Sequence, residues 1–181
     1  MRRVLLLLLV PVALAGSLIG CGPGSAGAPA ALSRATEGLR QSLSPAAPFQ
    51  LASDTGKTLL YVAPDPTGTN PSPSLKLVLT RSSKVFDDRA AVREIAPRVF
   101  IQDLPEVKNA ANFQTSPVTG DGLPGFETTA IAFHSQTNAR LHVVCVKLYA
   151  ADGTHTILGL APVEAQAQQT LRDAAATFRA R

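Results

Sequence analysis

The feature that most constrains this chain is the apolar stretch near its amino terminus. Arg2 and Arg3 precede an uncharged segment from Val4 to Ala15, which only Pro11 interrupts, and small residues follow up to Gly20. A basic start, a short apolar segment and a small-residue end are the three parts of a secretory signal peptide. The segment is shorter than the about 20 residues that a membrane-spanning helix needs. We therefore expect residues 1–20 to be removed from the mature protein.

The signal ends in Leu18-Ile19-Gly20-Cys21, which resembles the lipobox of bacterial lipoproteins. The resemblance implies that the Cys21 thiol takes a diacylglycerol, that cleavage occurs before this residue, and that the new amino group is acylated. Several acyl chains hold a protein stably on a membrane, whereas one chain binds only marginally. Two alternatives remain open at this point: an ordinary signal peptide followed by a chance cysteine, and an uncleaved membrane anchor.

The residues after Cys21 predict a tether and a location. Residues 21–31 are mostly Gly, Ala, Pro and Ser, a composition that is typical of a flexible linker with little to bury. A single domain is expected over residues 32–181. By resemblance to enteric lipoproteins, in which Asp after the lipidated cysteine retains the protein in the inner membrane, Gly22 favours the outer membrane of a Gram-negative cell envelope.

Composition excludes several classes of protein. Removing the first 20 of 181 residues leaves 161, enough to bury the core of one domain. It also lowers Lys plus Arg from 17 to 15, against 13 acidic residues, so no basic surplus points to nucleic acid. If Cys21 is lipidated, Cys145 has no partner for a disulfide. In the strand-like run Leu141 to Val146, Cys145 is then expected to be a buried small hydrophobic residue.

Alternating and continuous apolar runs predict a sheet. A meander is expected in the second half of the chain, with a tight hairpin at Asp152-Gly153. Residues 39–43 fit either a strand or a short helix from Ser33, and residues 101–118 are polar and hard to assign. The predicted strands are Lys57–Ala63, Leu75–Thr80, Ala111–Pro117, Phe126–His134, Arg140–Ala150 and Thr154–Leu160.

Two amphipathic helices are predicted. The first is expected to start at Asp87, because Asp caps helix amino termini well, and to end or kink near Ala96, because of Pro97. Its apolar stripe comprises Val92, Ile95, Ala96 and Val99. The second opens at Pro162, and its apolar face comprises Val163, Ala167, Leu171, Ala174 and Phe178. Strands, a helix, more strands and a terminal helix indicate an α+β fold, an antiparallel β-sheet with packed helices.

This order of elements resembles the PsbP-like domains, which include the DcrB-type bacterial lipoproteins. The resemblance rests on Gly-Leu-Pro-Gly-Phe at 122–126, on two long strands around an Asp-Gly turn, and on a last helix ending in Ala-Thr-Phe. Residues 38–48 are similar to the family's opening strand and proline-containing turn. The family usually has an aromatic residue, often Trp, within that turn, and Phe49 corresponds to it only loosely. The resemblance spans roughly residues 36–179 and implies an α/β/α sandwich and an accessory or docking role.

No constellation of residues predicts catalysis, a metal site or a cofactor. Residues 120–125 match the Gly-x-Gly-x-x-Gly pattern, but Pro124 lies inside it and a strand is predicted to follow, which indicates a turn and not a dinucleotide site. Hairpin geometry places His142 and His155 more than about 20 Å apart. Adjacent Asp87 and Asp88 are better explained by helix capping than by paired acid–base chemistry.

Two hypotheses of function follow. The first is a non-catalytic, lipid-anchored accessory or docking domain that binds another protein of the cell envelope through a sheet edge or the loop at 64–74. The second is a carrier of a small or lipid-like ligand in a cavity between sheet and helix. An apolar pocket larger than side chains can fill favours the second hypothesis.

Replacing Cys21 by Ser tests the anchor. We expect the variant to be released from membranes or to accumulate as uncleaved precursor, because Ser offers no thiol for the lipid. Cell fractionation and intact-protein mass spectrometry measure both outcomes, and Cys145→Ser is the matched control that keeps its lipid. Mature wild-type protein without lipid on Cys21 would contradict the assignment.

Overall fold

The computed structural model describes residues 39–63, 75–83 and 89–180. Within these residues seven strands form one antiparallel sheet, and three helices pack against it, which confirms the expected α+β fold. The helices are α1 (residues 39–42), α2 (Ala90–Gln102) and α3 (Ala165–Ala175). The strands are β1 (Gln50–Asp54), β2 (Thr58–Ala63), β3 (Leu75–Ser82), β4 (Val107–Gly120), β5 (Leu123–His134), β6 (Arg140–Ala150) and β7 (Gly153–Pro162).

The sheet consists of two meanders that meet in the middle. Its order is β1-β2-β3-β7-β6-β5-β4, so the last strand of the second meander pairs with the last strand of the first. Leu77 lies opposite Gly159 at this junction, and Val144 lies opposite Gly159 on the other side. The two central strands therefore come from distant parts of the sequence, and the long strand β4 is left at an edge.

Alternation of side chains gives the sheet two apolar faces. Face A carries Leu77, Val144 and Ile157, which belong to the same cluster as α1 and α3. Face B carries Val143 and Cys145, in a second cluster with Ile101 of α2. Since successive residues of a strand point to opposite faces, each central strand contributes to both cores. Helices on both faces make an α/β/α sandwich.

The first predicted helix is present, but its start and its end differ from the prediction. Helix α2 begins at Ala90, with Arg89 in the N-cap position, two residues beyond Asp87, which lies outside the described residues. Pro97 does not end it, because the helix continues to Gln102.

The predicted apolar stripe of α2 is right at Ala96 and wrong at Ile95 and Val99. The buried residues are Ala96, Pro97 and Ile101, whereas Ile95 and Val99 are 54% and 46% exposed. The side of the helix with Ala96, Pro97 and Ile101 therefore faces the sheet. The side with the regularly spaced Ile95 and Val99 faces solvent.

Predicted strands are confirmed at β2, β3, β5, β6 and β7, with shifted ends, but other parts needed correction. Residues 39–42 are helical, so the resemblance to an opening strand at 38–48 fails, and the first strand begins at Gln50. Strand β4 is 14 residues long, and most of its residues are exposed. Its polar sequence is compatible with a strand because it lies at the edge of the sheet. Helix α3 starts at Ala165 and not at Pro162, which ends β7.

The terminal helix confirms its predicted apolar face. Ala167, Leu171 and Ala174 of α3 are buried, as is Phe178 just after it. At Gly159 of β7, an added Cβ would lie 2.4 Å from Cδ2 of Leu171, closer than real carbon contacts allow. The absence of a side chain at Gly159 thus lets α3 lie low over the centre of face A.

Two isoleucines of α2 provide a matched test of this packing. We expect Ile101→Ala to lower the free energy of unfolding by about 2–5 kcal/mol, because it empties a fully buried position. Ile95→Ala should change it by less than about 0.5 kcal/mol, because Ile95 is exposed. Urea unfolding followed by circular dichroism measures both. Equal losses at the two positions would contradict the orientation of α2.

Candidate functional site

An open cleft on face A is the candidate site. It has a volume of about 440 Å³ and lies between α3 and the residues that follow it on one side and the β4–β5 hairpin on the other. Helix α3 packs on β3 and β7, so the part of face A formed by β4, β5 and β6 extends past the helix. Cavities of roughly 300–1,000 Å³ are the usual size of small-molecule sites. The cleft therefore has room for a ligand of modest size.

The lining of the cleft is mainly apolar. Helix α3 and the segment after it contribute Leu171, Ala175 and Phe178, and Val118 of β4 faces them from the hairpin. Val146 is only partly buried, so the sheet surface there is not sealed by protein. The floor is formed by residues of β3, β6 and β7, namely Leu77, Val144, Val146, Leu148, Ile157 and Gly159.

Charged groups of both signs line the two walls. Arg172 and Arg179 are on the wall formed by α3 and its carboxyl-terminal extension, and Asp121 and Glu127 are on the hairpin wall. Asp121 is engaged, since its Oδ2 accepts a hydrogen bond of 2.7 Å from the backbone N–H of Ala180. Arg179 is engaged too, because its Nη1 donates to nearby backbone carbonyls.

Arg172 and Glu127 differ from the other two charged residues. Among the described residues, neither is in an ion pair or a side-chain hydrogen bond. Glu127 is half-buried beside Val146, its partner in the register of β5 and β6. Arg172 is exposed and close enough to His142 to help lower its pKa. The cleft thus contains one uncommitted cation and one uncommitted anion on opposite walls.

The three histidines do not come together. His142 pairs with Ala161 and His155 with Leu148, so the two are six residues apart along β6, about 20 Å. The hairpin turn lies one residue earlier than the expected Asp152-Gly153, at Ala151 and Asp152, because Ala150 lies opposite Gly153. His134 lies on face B, three residues along β5 from Ile131, the partner of His142. His134 and His142 therefore lie on opposite faces of the sheet.

Two histidines are buried in face A. Burial lowers the pKa of His142, and Arg172 lowers it further; burial also lowers the pKa of His155. Nε2 of His142 and Nδ1 of His155 have no hydrogen-bond partner among the described residues. The ring of His155 packs edge-on against Phe178, with centroids 5.3 Å apart. These environments favour neutral rings that serve as packing groups.

Cys145 lies on the opposite face and is fully buried, as expected. Burial raises the pKa of its thiol to about 12, so the thiolate that nucleophilic chemistry requires is rare at neutral pH. Its neighbour Lys147 extends over the ring of Phe100 in α2, 4.5 Å from the centroid, and donates to Thr156 Oγ1 at 3.1 Å. Cys145 and Lys147 therefore have structural roles in the core of face B.

Other residues that the sequence singled out have structural roles or lie elsewhere. The Gly-x-Gly-x-x-Gly segment is the β4–β5 turn, with φ of 47° at Asp121 and 81° at Gly122, which confirms the turn. Cys21, Asp87 and Asp88 lie outside the described residues. In the described ranges no three His, Cys, Asp or Glu residues form a group suited to a metal ion. No helix in the same ranges is long and apolar enough to cross a membrane.

Comparisons with known proteins identify no family. No protein-family model matches the chain, and no curated protein matches it either. One similar solved structure is a Pseudomonas aeruginosa protein of unknown function, with 12% identity and a TM-score of 0.48, covering 68% of this chain and 83% of that one. Another is LpqN, involved in cell envelope biogenesis of Mycobacterium tuberculosis, with 17% identity and a TM-score of 0.48, covering 75% and 78%. Similarities of this size carry no argument about family or function.

Thiol labelling tests the burial of Cys145. At pH 8 a thiol with a pKa of about 12 is ionised in about one molecule in ten thousand, so we expect no labelling of mature native protein by a thiol reagent. In denaturant one thiol should react, because Cys21 is expected to be blocked by lipid. Fast labelling of native protein, mapped by mass spectrometry, would show either an accessible Cys145 or a free Cys21. The Cys145→Ser variant distinguishes these two outcomes.

Proposed function

We propose that this chain is a lipid-anchored protein of the bacterial cell envelope whose domain binds a small amphiphilic molecule in the cleft of face A. The single observation that supports the ligand site is the apolar, open cleft of about 440 Å³ beside α3. The anchor is inferred from the lipobox-like sequence at Cys21. The proposed function is binding and transfer and involves no catalytic step.

The physical reason for an amphiphile is the composition of the cleft. Water on the apolar floor gains few hydrogen bonds, so a ligand with an apolar part gains free energy by displacing it, about 25 cal/mol for each Å² buried. Charged side chains on the two walls leave room for a polar group at the mouth. A domain tethered to a membrane through Cys21 would also be close to the main source of such molecules.

A docking function is the second candidate, and one observation favours it. Strand β4 is an edge strand of 14 residues, and edge strands present unpaired backbone groups that another chain can pair with. Its register shifts between Lys108 and Ala111 and again between Ala111 and Gln114 interrupt this edge. Regular pairing is left to the part from Gln114 to Gly120, which limits the length of any added strand.

Photo-crosslinking in membranes tests the proposed ligand site with the lipidated protein. Vesicles that carry the wild-type chain are treated with a single-chain amphiphile that bears a diazirine in its alkyl chain. We expect crosslinks at β6 and α3, around Val146 and Ala175, because these line the cleft, and few at the exposed Ile95 and Val99 of α2. Peptide mass spectrometry locates the crosslinks.

A pair of variants provides the control. Ala175→Phe should reduce cleft labelling several-fold, because the added ring occupies the space of the ligand. Ala165→Phe introduces the same ring at an exposed position of α3 away from the cleft and should leave labelling unchanged. Labelling spread evenly over the surface, or equal in the two variants, would overturn the proposed ligand site.

A further inference from the structure

We infer that the ligand of the cleft is a single-chain zwitterionic amphiphile, with one cationic and one anionic group in its polar head. The inference rests on the proposed function and adds to it the chemical class of the ligand. It follows from the two uncommitted charges that line the cleft, Glu127 on the hairpin wall and Arg172 on the helix wall.

The first step is the state of these charges without a ligand. The other two charged residues of the cleft already bind backbone groups, Asp121 with the N–H of Ala180 and Arg179 with carbonyls at the end of α3. In the described part of the chain, Glu127 and Arg172 have no such partners and do not form an ion pair with each other. Both therefore depend on solvent, which a bound ligand would displace.

The second step is the cost of covering a charge. When a ligand excludes water from a charged group without replacing its interactions, the group loses solvation, and this loss opposes binding. A neutral amphiphile would leave both groups uncompensated. A purely anionic head would pair with Arg172 but would be repelled by Glu127. A purely cationic head would pair with Glu127 but would be repelled by Arg172. A head with both charges compensates both residues.

The third step is the placement of the charges. Glu127 lies opposite Val146 on β6, and Arg172 acts on the pKa of His142, four residues further along the same strand. At about 3.3 Å per residue the two strand positions are roughly 13 Å apart, and Arg and Glu side chains are long enough to shorten this gap. The two charges are therefore at different points of the cleft.

The last step is size. A volume of about 440 Å³ is near the lower end of the range for small-molecule sites. This space suits one alkyl chain with its head at the mouth, rather than a lipid with two chains. A lysophospholipid with a phosphoethanolamine head is a molecule of this class.

The test compares four diazirine-labelled amphiphiles with the same alkyl chain and different heads: phosphoethanolamine, phosphate, amine and neutral glycerol. Membrane vesicles carry the full-length lipidated protein, and labelling of the cleft peptides is measured against concentration. We expect the phosphoethanolamine probe to reach half-maximal labelling at the lowest concentration. The charges are at or near the surface, so the expected advantage is about two- to fivefold.

Two variants assign the preference to its residues. Glu127→Gln should raise the concentration for half-maximal labelling about two- to fivefold for the phosphoethanolamine and amine probes. It should not change this concentration for the phosphate probe. Arg172→Gln should raise the same concentration by a similar factor for the phosphoethanolamine and phosphate probes, and should not change it for the amine probe. Arg140→Gln and Asp173→Asn remove exposed charges outside the cleft and serve as matched controls that leave all four probes unchanged.

The outcomes separate the two proposals. Cleft labelling by all probes with equal strength, or better labelling by phosphate or amine than by phosphoethanolamine, would overturn the zwitterionic ligand and leave the amphiphile site standing. Absence of cleft labelling by every probe would overturn both. Equal effects of either variant on all four probes would show that the residue supports the structure and not the head group.

Discussion

The arrangement of this domain depends on the contact between α3 and the glycine at the centre of the sheet. Leu171 is buried directly over Gly159, where an added Cβ would displace the leucine side chain. This contact holds the terminal helix over β7 and β3. Since the helix covers only this part of face A, the surface of β6 and β5 beyond it stays open between α3 and the hairpin. The cleft is thus a consequence of where a glycine allows the helix to settle.

The two faces of the sheet have different properties for this reason. Helix α2 packs on face B, where the Cys145 thiol is buried with a raised pKa and Lys147 extends over the ring of Phe100. Face A has a packed centre, where burial lowers the pKa values of His142 and His155, and an open side with unsatisfied charges.

The sequence predicted the strands of the second meander well, because runs such as 140–150 are apolar and rich in β-branched residues. It predicted the face of α3 for the same kind of reason, a regular apolar spacing that tertiary contacts preserve. It failed on α2, because a buried Ala96-Pro97 pair outweighed the better-spaced Ile95 and Val99. It predicted only Ala111–Pro117 of β4, because the polar residues on either side suit an exposed edge strand but give no strand pattern. Arg172 and Glu127 carried no signal in the sequence, because a cleft depends on how distant elements meet. Cys21, the predicted lipidation site, lies outside the described residues.

The proposal of a lipid-anchored, ligand-binding domain is tested most directly by the mass of the protein extracted from the cell envelope. Native mass spectrometry of the mature, gently extracted chain would measure the covalent lipid on Cys21 and any further bound molecule. We expect one additional non-covalent single-chain amphiphile in the wild type, which is lost in the Ala175→Phe variant, whose added ring fills the cleft. A mass that corresponds only to the lipidated chain, or a stoichiometric protein partner in place of the small molecule, would contradict it.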